Sequence, residues 1–327
     1  MTPTPRSVLA PTIRSYLTLK RALGRQYASE ERMLVHLDHF LVARRLDLTA
    51  ESFAAWCVSL QHLVSGCRRA WMRTVRNLCL YRRRREPDCF IPDVRLFPPE
   101  HQRIRAHLFT EAEVVRLLAA ARGRTPTDNS PLCPENLRLA VVLLYTTGLR
   151  RRELTRLTVG DYDSRAQTLL IRASKFHKSR LLPVSVGTTR EIEALLEARR
   201  RRRLPVEPES ALLWNRSPSP RGYSGGGLGH TLRILFQRAG IRTPTGALPR
   251  AHDFRHSFAL TVLLRWYHGG VDVQTKLPLL ATYMGHVSIE STAYYLQFVE
   301  PLTGAASTRF ADACGALITP ATTAGAR

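Results

Sequence analysis

Residues 284–295 read Met284-Gly285-His286-Val287-Ser288-Ile289-Glu290-Ser291-Thr292-Ala293-Tyr294-Tyr295. In one unbroken helix, His286 and Tyr295 stand nine positions apart; at about 100° per residue they fall on opposite faces. Gly285 suits a turn instead, and Ser288 is a fair N-cap for a helix running through Tyr295. His286 then sits in the turn, and Tyr295, about two turns along the helix, can face the same pocket. Taken alone, the stretch also reads as a helix that packs two aromatics into a core.

The chain around it has 327 residues, enough for two domains with their own cores. Forty-nine Lys and Arg against 26 Asp and Glu give a formal charge of +23. A charge of that size favours a polyanionic partner through counterion release, and nucleic acid is the usual one. An anionic membrane fits less well, because no run of about 18 apolar residues exists and the opening MTPTPRSVLAP has no hydrophobic signal core. Six cysteines (Cys57, Cys67, Cys79, Cys89, Cys133, Cys314) form no C-x-x-C pair and no regular metal spacing. They read as reduced and partly buried, which implies an intracellular, cytoplasmic protein without a structural zinc.

In chain order, residues 11 to about 86 read as helical. Ile13, Tyr16 and Leu17, then Met33, Leu34, Leu37, Phe40 and Leu41, recur at spacings of three and four. Thr49 offers another helix start, and Trp71 to Tyr81 carries a third apolar stripe. Arg68, Arg69, Arg73 and Arg76 recur along that segment, followed by Arg82, Arg83, Arg84 and Arg85. A charge run is commonly a solvated face; with this net charge and the motifs below, it is read as a DNA-facing helix that tracks phosphates. Pro87, Pro92, Pro98 and Pro99 then mark a linker, about 87–107. The expectation is a two-domain molecule, 1–104 and 108–327, with no arm domain before the first helical domain.

Phe109-Thr110-Glu111-Ala112-Glu113 opens the second domain as a capped helix through Leu118. Leu137 to Thr147 is apolar on nearly every face and reads as a buried helix. Strands are expected at Leu157 to Asp161, Thr168 to Ser174 and Ser179 to Ser185. The last two form a hairpin around Lys175-Phe176-His177-Lys178, with Pro183 placing the third strand at an edge. Glu191 to Arg203 reads as a helix ending in five arginines, either a second phosphate contact or a solvated helix end. Arg216 to Gly229 reads as a flexible loop. Helices are expected at about Leu228 to Ala239 and Arg250 to Tyr267, with a short one from Arg309 to Leu317.

Two further motifs carry chemistry. In Thr147-Gly148-Leu149-Arg150-Arg151-Arg152-Glu153-Leu154, Gly148 permits a reversal between helices, so Arg150 projects from the start of the second. Helix N-termini favour anions, and arginine adds a bidentate fork for phosphate oxygens. Glu153, three residues on, lies on the same face and can hold the site arginines in place. In His252-Asp253-Phe254-Arg255-His256 the His252 and Arg255 side chains, at i and i+3, point the same way.

These stretches resemble the boxes of the tyrosine recombinases, the phage-integrase family: T-G-x-R-x-x-E, H-x-x-R, and L-G-H-x-S/T-I-x-x-T-x-x-Y. The departures are Met284 and Phe254 where leucine is usual, and a longer segment, Gly270 to Tyr283, with Pro278 inside it. Each box is weak singly. Their order, Arg, Lys, His-x-x-Arg, Gly-His, Tyr, over about residues 108–300, is strong.

The resemblance implies a mainly α fold with a small antiparallel β-sheet (α+β): a helical core-binding domain followed by a catalytic domain. It implies a site-specific recombinase that breaks and rejoins DNA through a 3′-phosphotyrosyl link, for integration or transposition of a mobile element. Tyr295 is the nucleophile by register, with Tyr294 its rival. Arg150 and Arg255 hold the phosphate, and His252 and His286 assist. Lys175, or Lys178 if the turn register slips, is the acid. No metal or cofactor is called for. The expected partners are double-stranded DNA recombination sites and further protomers, a homotetramer or an assembly with sister recombinases, in the DNA-associated cytoplasm. A type IB topoisomerase-like enzyme and a non-catalytic DNA-binding protein of the same fold remain open.

Overall fold

In the computed structural model the described residues are 4–99, 106–172, 179–216, 221–286 and Thr292. Lys175, Lys178, Tyr294, Tyr295 and Cys314 lie outside them, as do the helices expected from Ser288 and from Arg309. The chain divides into two compact units, residues 1–105 and 106–327.

The first unit is helical. It contains α1 (Ala10–Ala22), α2 (Ala28–Arg44), α3 (Ala50–Ser59) and α4 (Ser65–Arg82). The periodic residues meet as expected: Ile13, Tyr16, Leu34, Leu37 and Leu41 pack with Trp56, Val75 and Leu78 in one core. Thr49 starts α3 through a capping box with Ser52. A fully buried carboxylate, Asp38, accepts the N–H groups of Arg6 and Ser7 at 2.7 and 2.8 Å and the Ser7 hydroxyl at 2.5 Å, which fixes the approach to α1.

The proline-rich segment after α4 differs from a free linker. It holds a 3₁₀ turn at Val94–Leu96, and Phe97 is buried in the first core with Phe90 and Ile91 against it. Aromatic burial outweighs the proline signal there.

The second unit comprises α5 (Glu111–Arg122), α6 (Cys133–Thr147), α7 (Arg151–Leu154), β1 (Tyr162–Asp163), β2 (Thr168–Ile171), β3 (Arg180–Pro183), α8 (Val186–Arg201), β4 (Trp214–Asn215), β5 (Arg221–Gly222), α9 (Gly225–Arg238), α10 (Asp253–His268) and α11 (Val273–Met284). Its axis is α6, whose Leu137, Leu139, Ala140, Val141, Leu143 and Leu144 are all at most 1 % exposed. Only a narrow strip, with half-buried Arg138 and Val142 and exposed Thr146, meets water, and α5, α8 and α10 pack around the rest. Thr110 and Glu113 form the capping box that opens α5.

The three-stranded sheet has the order β1-β2-β3, antiparallel throughout, and Pro183 lies on an edge strand. Leu169 and Ile171 of β2 and Leu182 of β3 point into the core. Arg180 shares the inward face with Leu182, two positions on.

Three local expectations fail for identifiable reasons. Val159–Asp161 is a 3₁₀ turn rather than a strand. Thr158 and Asp161 cap each other, and the Val159 and Gly160 amides go to the carbonyls of Ser210 and Pro208. The stretch 216–229 is not one loop: β4 and β5 pair as a ribbon, and Ser224 caps α9 early by accepting from the Gly227 amide at 2.9 Å. Arg199, first of the five arginines, is neither solvated nor turned toward a ligand. It is fully buried and donates to the carbonyls of Pro205, Ala211 and Leu212. Burial pulls its guanidinium down to about 10.

Arg199→Leu therefore strips three carbonyls of a charged donor at once. It is expected to lower the free energy of unfolding by about 3 kcal/mol, read as an earlier urea midpoint, whereas exposed Arg200→Leu shifts it little.

Candidate active site

α6 ends at Gly148, whose φ of +62° is left-handed and whose missing side chain is required by contact. A Cβ there would lie 2.5 Å from Cδ1 of Phe258 on α10. The reversal buries Leu149 and leaves Arg150 as the N-cap of α7. Glu153 then reaches back: its Oε2 accepts the Arg150 amide at 3.0 Å and its Oε1 accepts Arg150 Nη1 at 2.8 Å.

Arg255 rises from the first turn of α10 and is 1 % exposed. Its Nη1 donates to the carbonyl of Gly148 at 2.8 Å and its Nη2 to that of Met284 at 2.7 Å. Arg150 Nη2 donates to the carbonyl of Gly285 at 2.9 Å. Arg180, from β3, donates through Nε to the carbonyl of Tyr283 at 2.8 Å. Three successive carbonyls at the end of α11 are thus taken by three arginines from three separate elements. A helix C-terminus leaves such carbonyls without intrahelical donors and carries partial negative charge, so cations there are stabilising.

α11 is the segment that departs from the family pattern. Asp272 caps it, and it runs through Pro278, whose ring withholds one N–H from the ladder. It ends at Gly285, φ +67°, and the chain turns so that the His286 amide returns to the carbonyl of Ala281 at 2.8 Å. His286 Nδ1 lies 2.7 Å from the hydroxyl of the fully buried Thr292. His252 is the N-cap residue of α10, its ring 4.9 Å from that of His256 at nearly a right angle.

The electrostatics follow from this crowding. Two guanidiniums, Arg150 and Arg180, face one carboxylate, Glu153, while Arg255 is held on the carbonyls of Gly148 and Met284; the four groups sum to a formal +2. Burial opposes ionisation of Glu153, but the hydrogen bonds and charge of Arg180 and the groups of Arg150 outweigh it, and its carboxyl sits below the ordinary range. Burial, then the charges of Arg255 and Arg150, pulls His286 down to about 3. Burial, then His256 and Arg255, pulls His252 to about 4. The site at neutral pH is a cationic recess with neutral imidazoles, suited to a tetrahedral anion such as a phosphodiester.

The structure thus brings together Arg150, His252, Arg255 and His286 of the expected set, while Lys175 and Tyr295 lie outside the described residues. It adds Arg180, which sequence reasoning missed. The available signal was strand alternation, but Leu181 and Leu182 are both apolar, so the pattern alone does not say which face of β3 is buried. Among the described residues no group of three His, Cys, Asp or Glu is placed to hold a metal ion, and no helix is long and apolar enough to cross a membrane.

The arginine row of α4 splits. Arg69 and Arg76 donate to the carbonyls of Pro98 and Pro92 at 2.8 and 2.6 Å, and Arg82 pairs with Glu86 and Asp47. Arg68 is half-buried, while Arg73 and Arg83, Arg84 and Arg85 are exposed. The eight do not form one solvent-facing track, because the α4 face that meets the segment 90–98 uses arginine to satisfy carbonyls of a proline-rich chain.

Comparison with known proteins places residues 107–300 in a match to the phage integrase family. The chain is 31% identical over 293 residues to "Putative integrase/recombinase y4rB" of Sinorhizobium fredii, covering 89% of this chain and 93% of that one. It is 32% identical over 202 residues to tyrosine recombinase XerA of Thermococcus kodakarensis, covering 62% and 61%. Its fold is similar to that of the XerH site-specific recombinase bound to palindromic difH substrate, with a TM-score of 0.63 at 19% identity over 90% of this chain and 83% of that one.

The depressed histidines set a pH dependence for the free protein. Between the ordinary histidine value near 6.5 and the folded values of about 4 and 3, the unfolded chain holds more protons than the folded one. Stability is full above about pH 6.5 and falls as the pH drops through that window. The midpoint of thermal unfolding should therefore drop between pH 7.5 and 5, and drop less in His252→Gln.

Proposed function

The chain belongs to the phage integrase family, the tyrosine recombinases that break and rejoin DNA, and on that premise we propose that it is a site-specific recombinase acting through a 3′-phosphotyrosyl intermediate in the integration or transposition of a mobile element. The convergence of Arg150, Arg255, His252 and His286 from separate segments around the end of α11 carries this reading.

A phosphodiester resists attack because its charge repels the nucleophile. Arg150 and Arg255 offset the charge on the non-bridging oxygens and the further charge that builds in the transition state. The Tyr295 hydroxyl attacks phosphorus, and the bond to the 5′-oxygen breaks. Lys175 or Lys178 supplies the proton that the departing 5′-oxygen takes up. His252 or His286, neutral in the free site, accepts the phenolic proton or donates a hydrogen bond to the phosphate. The phosphotyrosyl link keeps the energy of the broken bond, so a second DNA 5′-hydroxyl reverses the step without a nucleotide cofactor. Strand exchange needs several such sites, which is why the working form is a homotetramer on paired DNA sites, or an assembly with sister recombinases. Exposed Arg73, Arg83, Arg84 and Arg85 are the phosphate-contacting candidates in the first unit.

Nicked suicide DNA from the ends of the protein's own genetic element tests this. A protein–DNA adduct that survives denaturant should form, vanish in Tyr295→Phe and persist in Tyr294→Phe. Arg150→Ala should slow its formation by about 10²-fold or more. Tight, salt-sensitive binding with no adduct contradicts the enzymatic reading.

A further inference from the structure

We propose that Arg180 is a positioning residue for strand cleavage: it clamps Glu153 and the end of α11 together, so that Arg150 and the turn bearing His286 meet the scissile phosphate in one fixed arrangement. This rests on the recombinase reading above and adds a residue outside the boxes that identified it.

The geometry is specific. Each Glu153 oxygen takes one bond from Arg150 and one from Arg180. Oε1 accepts Arg150 Nη1 at 2.8 Å and Arg180 Nη1 at 3.1 Å; Oε2 accepts the Arg150 amide at 3.0 Å and Arg180 Nη2 at 3.1 Å. A carboxylate has about four acceptor sites, and all four are filled. Meanwhile Arg180 Nε holds the carbonyl of Tyr283 at 2.8 Å, one residue before Met284 and two before Gly285, the carbonyls that hold Arg255 and Arg150. The fork of Arg180 thus ties the first arginine box to the Gly-His turn.

Gly285 completes the fit. A Cβ there would lie 2.7 Å from Arg180 Nη1 and 3.0 Å from Cζ, so the guanidinium lies directly against the turn. The Arg180 side chain is 11 % exposed and Glu153's is 6 %. Water has little room to replace these bonds.

Arg180 is poorly placed to be a third phosphate ligand. Its Nε and both terminal nitrogens are engaged, and its charge faces a carboxylate at bonding distance. Lysine cannot substitute, because one ammonium cannot span a carboxylate and a carbonyl in this plane. Loss of Arg180 leaves Glu153 buried with two unfilled acceptor sites and one arginine neighbour, and it frees Arg150 to swing. A displacement of about 1 Å at a reacting centre costs roughly 10²-fold in rate.

The test uses the full chain and the nicked suicide DNA, comparing Arg180→Gln, Arg180→Lys, Glu153→Gln and the double variant Arg180→Gln/Glu153→Gln. Single-turnover adduct formation should slow by about 10- to 100-fold in Arg180→Gln, with DNA affinity within about threefold of wild type and with Arg180→Lys recovering little. The double variant should be no slower than the slower single variant, because both act through one carboxylate. Glu153 is faced by Arg150 from its own turn and by Arg180 from β3, with Arg255 and His286 beyond. Without Arg180 it takes up a proton more readily, so the Arg180→Gln rate should fall more steeply than wild type as the pH drops from 8 to 6.

Three results overturn the proposal. DNA binding weakened about tenfold, with the salt dependence reduced by about one ion, makes Arg180 a phosphate ligand. Additive losses in the double variant remove Glu153 from its action. A lowered melting temperature with an unchanged adduct rate and pH profile makes it a brace of the fold alone. A wild-type chain that forms no adduct is distinguishable from all three: it sinks the recombinase reading, and Arg180's role falls with it.

Discussion

Three carbonyls at the end of α11, those of Tyr283, Met284 and Gly285, need donors that the helix itself does not supply. Arg180, Arg255 and Arg150 supply them from β3, α10 and the turn after α6. Each element is held by its own packing: α10 against α6, β3 against β2, α7 at the reversal that Gly148 permits. The carbonyl row is where these independently folded pieces meet. It also lets cations be crowded together at a largely buried site, since each finds partial negative charge on the backbone before any ligand arrives.

Backbone carbonyls make a different partner from carboxylates. A carboxylate cancels a guanidinium's charge, whereas a carbonyl satisfies its N–H groups and leaves the charge in place. Glu153 is a carboxylate that serves two of the trio at once, Arg150 and Arg180. The residual positive charge also pulls His252 and His286 below their ordinary range after burial has begun the shift. The lowered histidines thus answer first to burial and then to the same arginine charge that makes the site positive.

Much of this was legible in the sequence. The periodic residues of α1, α2 and α4, the apolar run of α6, the cap at Thr110 and the edge proline of β3 all act locally, through side-chain spacing and capping chemistry. Arg150 and His286 were legible because Gly148 and Gly285 mark the turns that present them, and His252 and Arg255 because they stand at i and i+3 where a helix begins. What was hidden depends on partners distant in the chain. Thr158 to Asp161 looks like a strand until residues 208–210 take its amides. Arg199 looks solvated until the carbonyls of 205, 211 and 212 surround it. Arg69 and Arg76 look like phosphate ligands until the segment 90–98 folds back onto α4. Arg180 looks like a hairpin charge, since two adjacent leucines conceal which face of β3 is inside. In each case an arginine or an amide satisfies a backbone group that local pattern does not reveal.

In the proposed mechanism the arginines held on this carbonyl row act on the reaction through their charge. The most direct measurement replaces the scissile phosphate of the DNA with a methylphosphonate, which keeps both bridging P–O bonds but exchanges a non-bridging oxygen for methyl and so removes the charge, and follows cleavage by Arg150→Ala. Arg150→Ala should cleave the uncharged linkage at least about tenfold faster than natural DNA, while the wild-type chain gains no such advantage. A variant equally inactive on both linkages would contradict it, and would make Arg150 a structural tie of the α11 turn rather than a group that offsets phosphate charge.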